Sequence, residues 1–363
     1  MAIEKITIQQ FLQLSAKYAV LDVRSPGEFE HAHIPGAYSL PLFSNEERKV
    51  VGTAYKQQSK QTAIKFGLEY FGGKMVQMID DAERIVNSHQ QQLSDPKTVI
   101  VHCWRGGMRS AGVAWLLDLY GFKVYTLVGG YKSFRRWCTS QFNKEYPFKI
   151  LGGFTGSGKT EILEELMLKG NIAINLEELA HHKGSAFGHL GQQAQPTQEM
   201  FENKLAVTLA NSEAADCVWL EDESQRIGTV SIPNILYLHI QTKAVYFLEI
   251  PFEERLKYII KYYGLFAKED LAERIVRIGK RLGGLETKKA LEYLGEGDIY
   301  NCFSILLKYY DKYYLKCLHH KSDKVLSAKT ITLPNTNPQK NAESLLSEVA
   351  IAELLTHVVK EIF

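Results

Sequence analysis

Two short stretches of this chain carry residue types that do chemistry. The first is Cys103-Trp104-Arg105-Gly106-Gly107-Met108-Arg109-Ser110, which follows directly on the apolar run Thr98-Val99-Ile100-Val101-His102. A thiol at a strand end, glycines that let the backbone curl, and a helix opening at Ser110 would surround sulfur with N–H groups and positive potential. Such surroundings lower a thiol pKa from its ordinary value of about 8.5 and favour the nucleophilic thiolate. Arg105 and Arg109 are expected to stabilise that anion, or an anionic donor beside it. An isolated strand-end cysteine is ordinarily a packing residue. The glycines and arginines around Cys103 argue for chemistry instead.

The second stretch is Gly153-Phe154-Thr155-Gly156-Ser157-Gly158-Lys159-Thr160, placed between the apolar run Phe148-Lys149-Ile150-Leu151 and the helical run Glu161-Ile162-Leu163-Glu164-Glu165-Leu166. Gly153, Gly156, Ser157 and Gly158 would aim backbone N–H groups at a phosphate, Lys159 adds a point charge, and Thr160 is a candidate Mg²⁺ ligand. Val218-Trp219-Leu220 then runs into Glu221-Asp222-Glu223, a strand ending in carboxylates, with Glu221 and Asp222 facing the phosphate site and Asp222 a second candidate Mg²⁺ ligand. No adenine-binding signature and no lid are visible. The motif therefore points to a phosphate or diphosphate, without specifying ATP.

The elements that must hold these loops are short apolar strands separated by helical stretches, the pattern of a parallel α/β sheet. Ala19-Val20-Leu21-Asp22-Val23, Thr98–His102 and Val124-Tyr125-Thr126-Leu127 belong to a first sheet, with Phe43 to about Asp95 a polar insertion of helices and loops. A second sheet begins at Phe148 and includes Val218-Trp219-Leu220 and Ala244-Val245-Tyr246-Phe247-Leu248. From about Phe252 onward the spacing is helical. The expected architecture is an N-terminal parallel-sheet domain over residues 1–142, a P-loop α/β domain over 147–260, and a helical C-terminal extension over 261–363.

Bulk properties set bounds. A chain of 363 residues is long enough for two or three domains. With a formal net charge of +2, any nucleic-acid contact must come from a local patch. Lys132, Arg135 and Arg136 form one such patch, and Lys280 and Arg281, near Lys288 and Lys289, form another that reads equally well as a solvated helix face. Tyr309, Tyr310, Tyr313 and Tyr314 could stack on bases, although their helical spacing suits packing. His181 and His182 are candidates for acid–base work, with Glu177 and Glu202 weaker ones. The 5 cysteines lack a CxxC pair, so neither a disulfide framework nor a zinc site is expected. The N-terminus does not read as a signal peptide and no run is apolar enough for a membrane span, so the expected setting is cytoplasmic, without membrane association.

The cysteine loop, together with Leu21-Asp22-Val23-Arg24-Ser25-Pro26 and His33-Ile34-Pro35-Gly36-Ala37, resembles a rhodanese domain, in which the cysteine carries a persulfide. Ala32 stands where that family usually has glycine. The pairing with a P-loop is more specific. With Pro41-Leu42-Phe43, Val51-Gly52-Thr53, Gly129-Gly130-Tyr131-Lys132, Leu176-Glu177, Gln195-Pro196, Phe201-Glu202-Asn203 and Glu221-Asp222-Glu223-Ser224, it resembles the tRNA 2-selenouridine synthase family over about residues 20–285. The resemblance implies two steps on the wobble 2-thiouridine of tRNA. Geranyl diphosphate alkylates the sulfur, and selenophosphate then replaces the S-geranyl group with selenium. No tightly bound cofactor is implied, Mg²⁺ is a candidate, and a monomer is the default expectation. Whether Cys103 bears a covalent perselenide or positions the donor stays open at this point. An ATP-dependent sulfurtransferase or small-molecule kinase, and a non-catalytic metabolite sensor, are the competing readings.

Overall fold

A computed structural model of the protein describes residues 3–88, 95, 97–319 and 328–362. The chain divides into two units, Met1–Phe142 with Glu199–Val207, and Asn143–Gln198 with Thr208–Phe363. The short helical segment Glu199–Val207 thus belongs with the first unit although it follows the phosphate loop in sequence.

The first unit is built on strands β1 (Glu4–Ile6), β2 (Ala19–Asp22), β3 (Tyr38–Ser39), β4 (Thr98–His102) and β5 (Lys123–Leu127), in the order β1-β5-β4-β2-β3. All four pairings are parallel. A parallel sheet is covered on both faces, which is why β2 and β4 are apolar throughout instead of alternating; every residue of both strands is buried. The polar insertion folds into helices Asn45–Gln57, Lys60–Gly72 and Met75–Ser88. The last of these buries Met78, Ala82 and Val86, four residues apart on one face, in the core beneath β2 and β4.

The second unit carries β6 (Phe148–Gly153), β7 (Ile172–Ile174), β8 (Val218–Glu221), the antiparallel pair β9 (Arg226–Ile227) and β10 (Val230–Ser231), then β11 (Val245–Glu249) and β12 (Lys329–Thr332). Its main sheet runs β12-β11-β6-β8-β7, again wholly parallel. The C-terminal region is therefore not helical throughout. Lys329-Thr330-Ile331-Thr332, rich in β-branched residues, adds an edge strand and buries Ile331. The helix Pro338–Ile362 then packs on the helix Lys159–Leu168, with Ala342, Leu345 and Val349 joining Ile162, Leu163 and Leu166 in one core. Among the described residues, no helix is long and apolar enough to cross a membrane.

Candidate active sites

In open parallel sheets, ligands gather at the carboxyl ends of the strands, and both chemical loops lie there. Cys103 follows the last residue of β4. Its carbonyl accepts from the Tyr131 N–H at 2.9 Å, and the Trp104 carbonyl accepts from the Lys132 N–H at 3.0 Å. The helix Gly130–Gln141 thus pins the loop by its first turn. Only glycine fits at position 130: φ is +55° there, and a Cβ would lie 2.2 Å from the Cys103 carbonyl oxygen.

Cys103 is only 3% exposed, and its Sγ lies 3.3 Å from the Ser110 Oγ. The same hydroxyl donates to the Gly107 carbonyl at 3.1 Å, so a small rotation moves its proton between that oxygen and the sulfur. Burial works against the thiolate. Hydrogen bonds from the Ser110 hydroxyl and from the backbone N–H groups of Ser110, Gly107 and Arg105 outweigh it and hold the thiol below its usual range. Cys138 and Cys302 behave oppositely, burial pushing each up to about 12.

The expected role of the arginines needs correction. Arg105 supplies a backbone N–H while its side chain is exposed, and Arg109 donates to the Glu28 carboxylate at 3.0 Å. The thiolate is favoured by oriented amides and a hydroxyl, while the Arg109 guanidinium is engaged by Glu28. Because hydrogen bonds to the charged form carry the shift, Ser110→Ala is expected to move the midpoint of Cys103 alkylation by iodoacetamide to higher pH. A profile of labelling rate against pH in the full chain measures it; an unchanged midpoint rules Ser110 out as a determinant.

Beneath the loop lies a buried polar group that sequence reasoning only half found. Asp22 and His102 are register partners at the ends of β2 and β4, and both are fully buried. Arg24 donates to both Asp22 carboxylate oxygens, the closest contact being 2.6 Å, and to the Ala32 carbonyl at 2.7 Å. The His102 Nε2 stands 3.8 Å from Asp22, and burial pushes the imidazole below its usual pKa, so His102 is neutral. Arg24 is thus the fixed counter-ion of Asp22, and removing one partner of a buried pair costs roughly 3–5 kcal/mol. Arg24→Ala is expected to destabilise the first unit by about that amount in urea unfolding of the full chain. A loss under about 1 kcal/mol would show that Asp22 finds another partner.

The basic patches fare unequally. Arg135 donates to the Asn203 side chain at 2.6 Å and pairs with Glu202, so its charge is used within the first unit. This is a second correction, since Arg135 is then not a free phosphate contact. Tyr131 is held in the same network, its hydroxyl donating to Glu199 at 2.7 Å and accepting from Asn203 at 2.8 Å. Lys132 and Arg136 are exposed, as are Lys280 and Arg281 in the last turn of the helix Lys268–Leu282.

In the second unit the phosphate loop joins β6 to the helix Lys159–Leu168. Gly156 has φ +82°, and a Cβ there would meet the Arg255 carbonyl oxygen at 2.9 Å. The Lys159 ammonium donates to the Gly153 carbonyl at 3.1 Å, across the mouth of the loop. Facing it are Glu177, Glu221 and Glu223. Desolvation pushes all three carboxyls up, mutual repulsion pushes Glu221 and Glu223 up further, and Lys159 pulls each back. The Thr160 hydroxyl donates to Glu177 at 3.2 Å and Asp222 accepts from the Tyr314 hydroxyl at 2.8 Å. Both candidate Mg²⁺ ligands are thus held by side chains.

The phosphate loop opens into a cavity of about 370 Å³. Its other wall is aromatic and aliphatic. Tyr258, Tyr262 and Tyr263 come from the helix Phe252–Tyr263, and Phe303, Leu306, Leu307, Tyr310 and Tyr314 from the helix Ile299–His319. Of the C-terminal tyrosines, expected to pack, Tyr310, Tyr313 and Tyr314 line this cavity as well. Their spacing at 309, 310, 313 and 314 marks one helical face, but nothing in it says what that face meets.

A buried thiol with a lowered pKa at one strand end and a phosphate loop at another mark a rhodanese-like unit and a P-loop unit. Residues 7–136 match the family model of the rhodanese-like domain, and residues 146–333 match that of the tRNA 2-selenouridine synthase AAA domain. The tRNA 2-selenouridine synthase of Shewanella pealeana (strain ATCC 700345 / ANG-SQ1) is 31% identical, the match covering 90% of this chain and 96% of that one. Those of Shewanella piezotolerans (strain WP3 / JCM 13877) and Sulfurovum sp. (strain NBC37-1) are 33% and 36% identical, covering 86% and 75% of this chain and 92% and 78% of theirs. The chain belongs to the tRNA 2-selenouridine synthase family.

Proposed function

We propose that this protein converts the wobble 2-thiouridine of tRNA into 2-selenouridine through an S-geranyl intermediate, acting in the cytoplasm. In the first step the thiocarbonyl sulfur attacks C1 of geranyl diphosphate, the C–O bond breaks, and diphosphate leaves. In the second, the selenium of selenophosphate attacks C2 of the base and expels the geranyl group as its thiol, and water then cleaves the Se–P bond, releasing phosphate. Alkylation turns a poor leaving group into a better one.

The observation that carries this reading is the cavity of the second unit, where a phosphate loop and an aromatic–aliphatic wall share one space. That combination suits a ligand with an anionic head and a hydrocarbon tail. Gly153, Gly156, Ser157, Gly158 and Lys159 would hold the diphosphate, while Tyr258, Phe303, Leu306 and Leu307 would cover the geranyl chain. Burial and mutual repulsion favour the protonated forms of Glu221 and Glu223, which lessens the repulsion an entering anion meets from this wall. Cys103 would serve the selenium step, its thiolate favoured by the loop amides.

The test is staged. Purified protein is incubated with 2-thiouridine tRNA and geranyl diphosphate, then with selenophosphate, and nucleosides are identified by mass spectrometry after each stage. S-geranyl-2-thiouridine followed by 2-selenouridine supports the reading. Absence of both products, with ATP consumed instead, replaces it with an ATP-dependent sulfurtransferase.

A further inference from the structure

Trp104 is the residue next to the reactive thiol, and it is 36% exposed. An indole left this open forgoes favourable burial, yet the fold takes care to fix it. Its carbonyl is tied to the Lys132 N–H at 3.0 Å. Its ring rests against Tyr131 at 5.5 Å between centroids, and Tyr131 is fully buried and hydrogen bonded to both Glu199 and Asn203. The Arg24 guanidinium lies 3.9 Å from the Tyr131 ring centroid and 6.0 Å from that of Trp104, so a buried stack supports the indole from behind.

The open side of Trp104 lines a cavity of about 690 Å³ in the first unit, shared with Asn45, Arg48 and Arg109. Arg48 and Arg109 both contact the same Glu28 carboxylate oxygen at 3.0 Å. Glu199 lines the same cavity, so carboxylates offset the guanidinium groups there, and Arg48, whose side chain is 52% exposed, is the cation most open to solvent. A rigid aromatic face one residue from the thiol, with the exposed Arg48 at the rim of the same cavity, is the equipment for holding an unstacked base by its face and the adjoining backbone by its phosphate.

We infer that Trp104 is the stacking platform for the base being modified, with the exposed Arg48 receiving the flanking phosphate. The inference rests on the tRNA reading proposed above and adds the site that presents the base to Cys103. Stacking on an aromatic side chain is sensitive to loss of the ring and tolerant of exchange for another ring.

The experiment is fluorescence polarisation of a labelled anticodon stem-loop titrated with the full chain at fixed salt. One stem-loop carries 2-thiouridine at the wobble position, and the other is abasic there. Wild type is expected to prefer the base-bearing loop. Trp104→Ala is expected to bind that loop about tenfold to a hundredfold more weakly and to bind the abasic loop as wild type does, so the preference disappears. Trp104→Phe is expected to keep most of the preference. Equal weakening toward both loops would mean that the substitution disturbs the surface generally, and an intact preference in Trp104→Ala would mean that the base sits elsewhere; either overturns the inference alone. Wild type binding neither loop overturns the tRNA reading as well.

Discussion

Lys159→Ala is expected to lower the rate of S-geranylation by about 10²–10³-fold, the usual cost of removing one oriented charge from the place where anionic charge develops. The ammonium sits at the loop mouth, donating to the Gly153 carbonyl, with Glu177, Glu221 and Glu223 opposite. A diphosphate entering there meets three carboxyl groups, and Lys159 is the cation that lowers the pKa of each. Without it the carboxyls hold protons more tightly, yet the leaving diphosphate has lost its point charge. Selenation of tRNA that already carries the S-geranyl group should proceed at the wild-type rate, because that step does not use the diphosphate. The comparison is made by nucleoside mass spectrometry, with thermal unfolding to confirm that the variant is folded. Geranylation within about tenfold of wild type would show that the backbone amides of the loop suffice.

Much of this arrangement was legible in the sequence because it is local. Both reactive loops follow an apolar strand and precede a helix, so their glycines and polar residues could be placed at strand ends without knowing any long-range contact. What escaped was what distance along the chain conceals. Arg135 reads as a surface cation until Glu202 and Asn203, more than sixty residues later, are seen to engage it. Lys329–Thr332 reads as part of a helical tail until it is seen pairing with β11. The tyrosines of the helix Ile299–His319 gave their periodicity and nothing about their partner, the phosphate loop. Arg109 was legible as a cation, but its choice of Glu28 over the thiolate depends on a contact across 81 positions. Charge is local in sequence, whereas the destination of a charge is not.

Cys103→Ala is expected to eliminate 2-selenouridine, a loss of at least about 10³-fold, while S-geranyl-2-thiouridine still forms and accumulates. Three features single out this thiol. It alone follows a sheet strand into a loop of inward-turned amides, its pKa is lowered where burial drives Cys138 and Cys302 up to about 12, and Ser110 stands 3.3 Å from its sulfur. A thiolate held in that way can act as a nucleophile or a base in the selenium step, and alanine can do neither. The substitution removes one buried sulfur, so folding should persist at a modest cost of about 1–2 kcal/mol. The Cys103→Ser variant refines the result. A serine hydroxyl is neutral at these pH values, so if the loop merely positions the donor through its amides, serine should recover part of the activity. If the chemistry needs the thiolate itself, serine should be as inactive as alanine. Selenouridine formed at the wild-type rate by Cys103→Ala would remove the thiol from the chemistry and leave the rhodanese-type loop as an anion cradle.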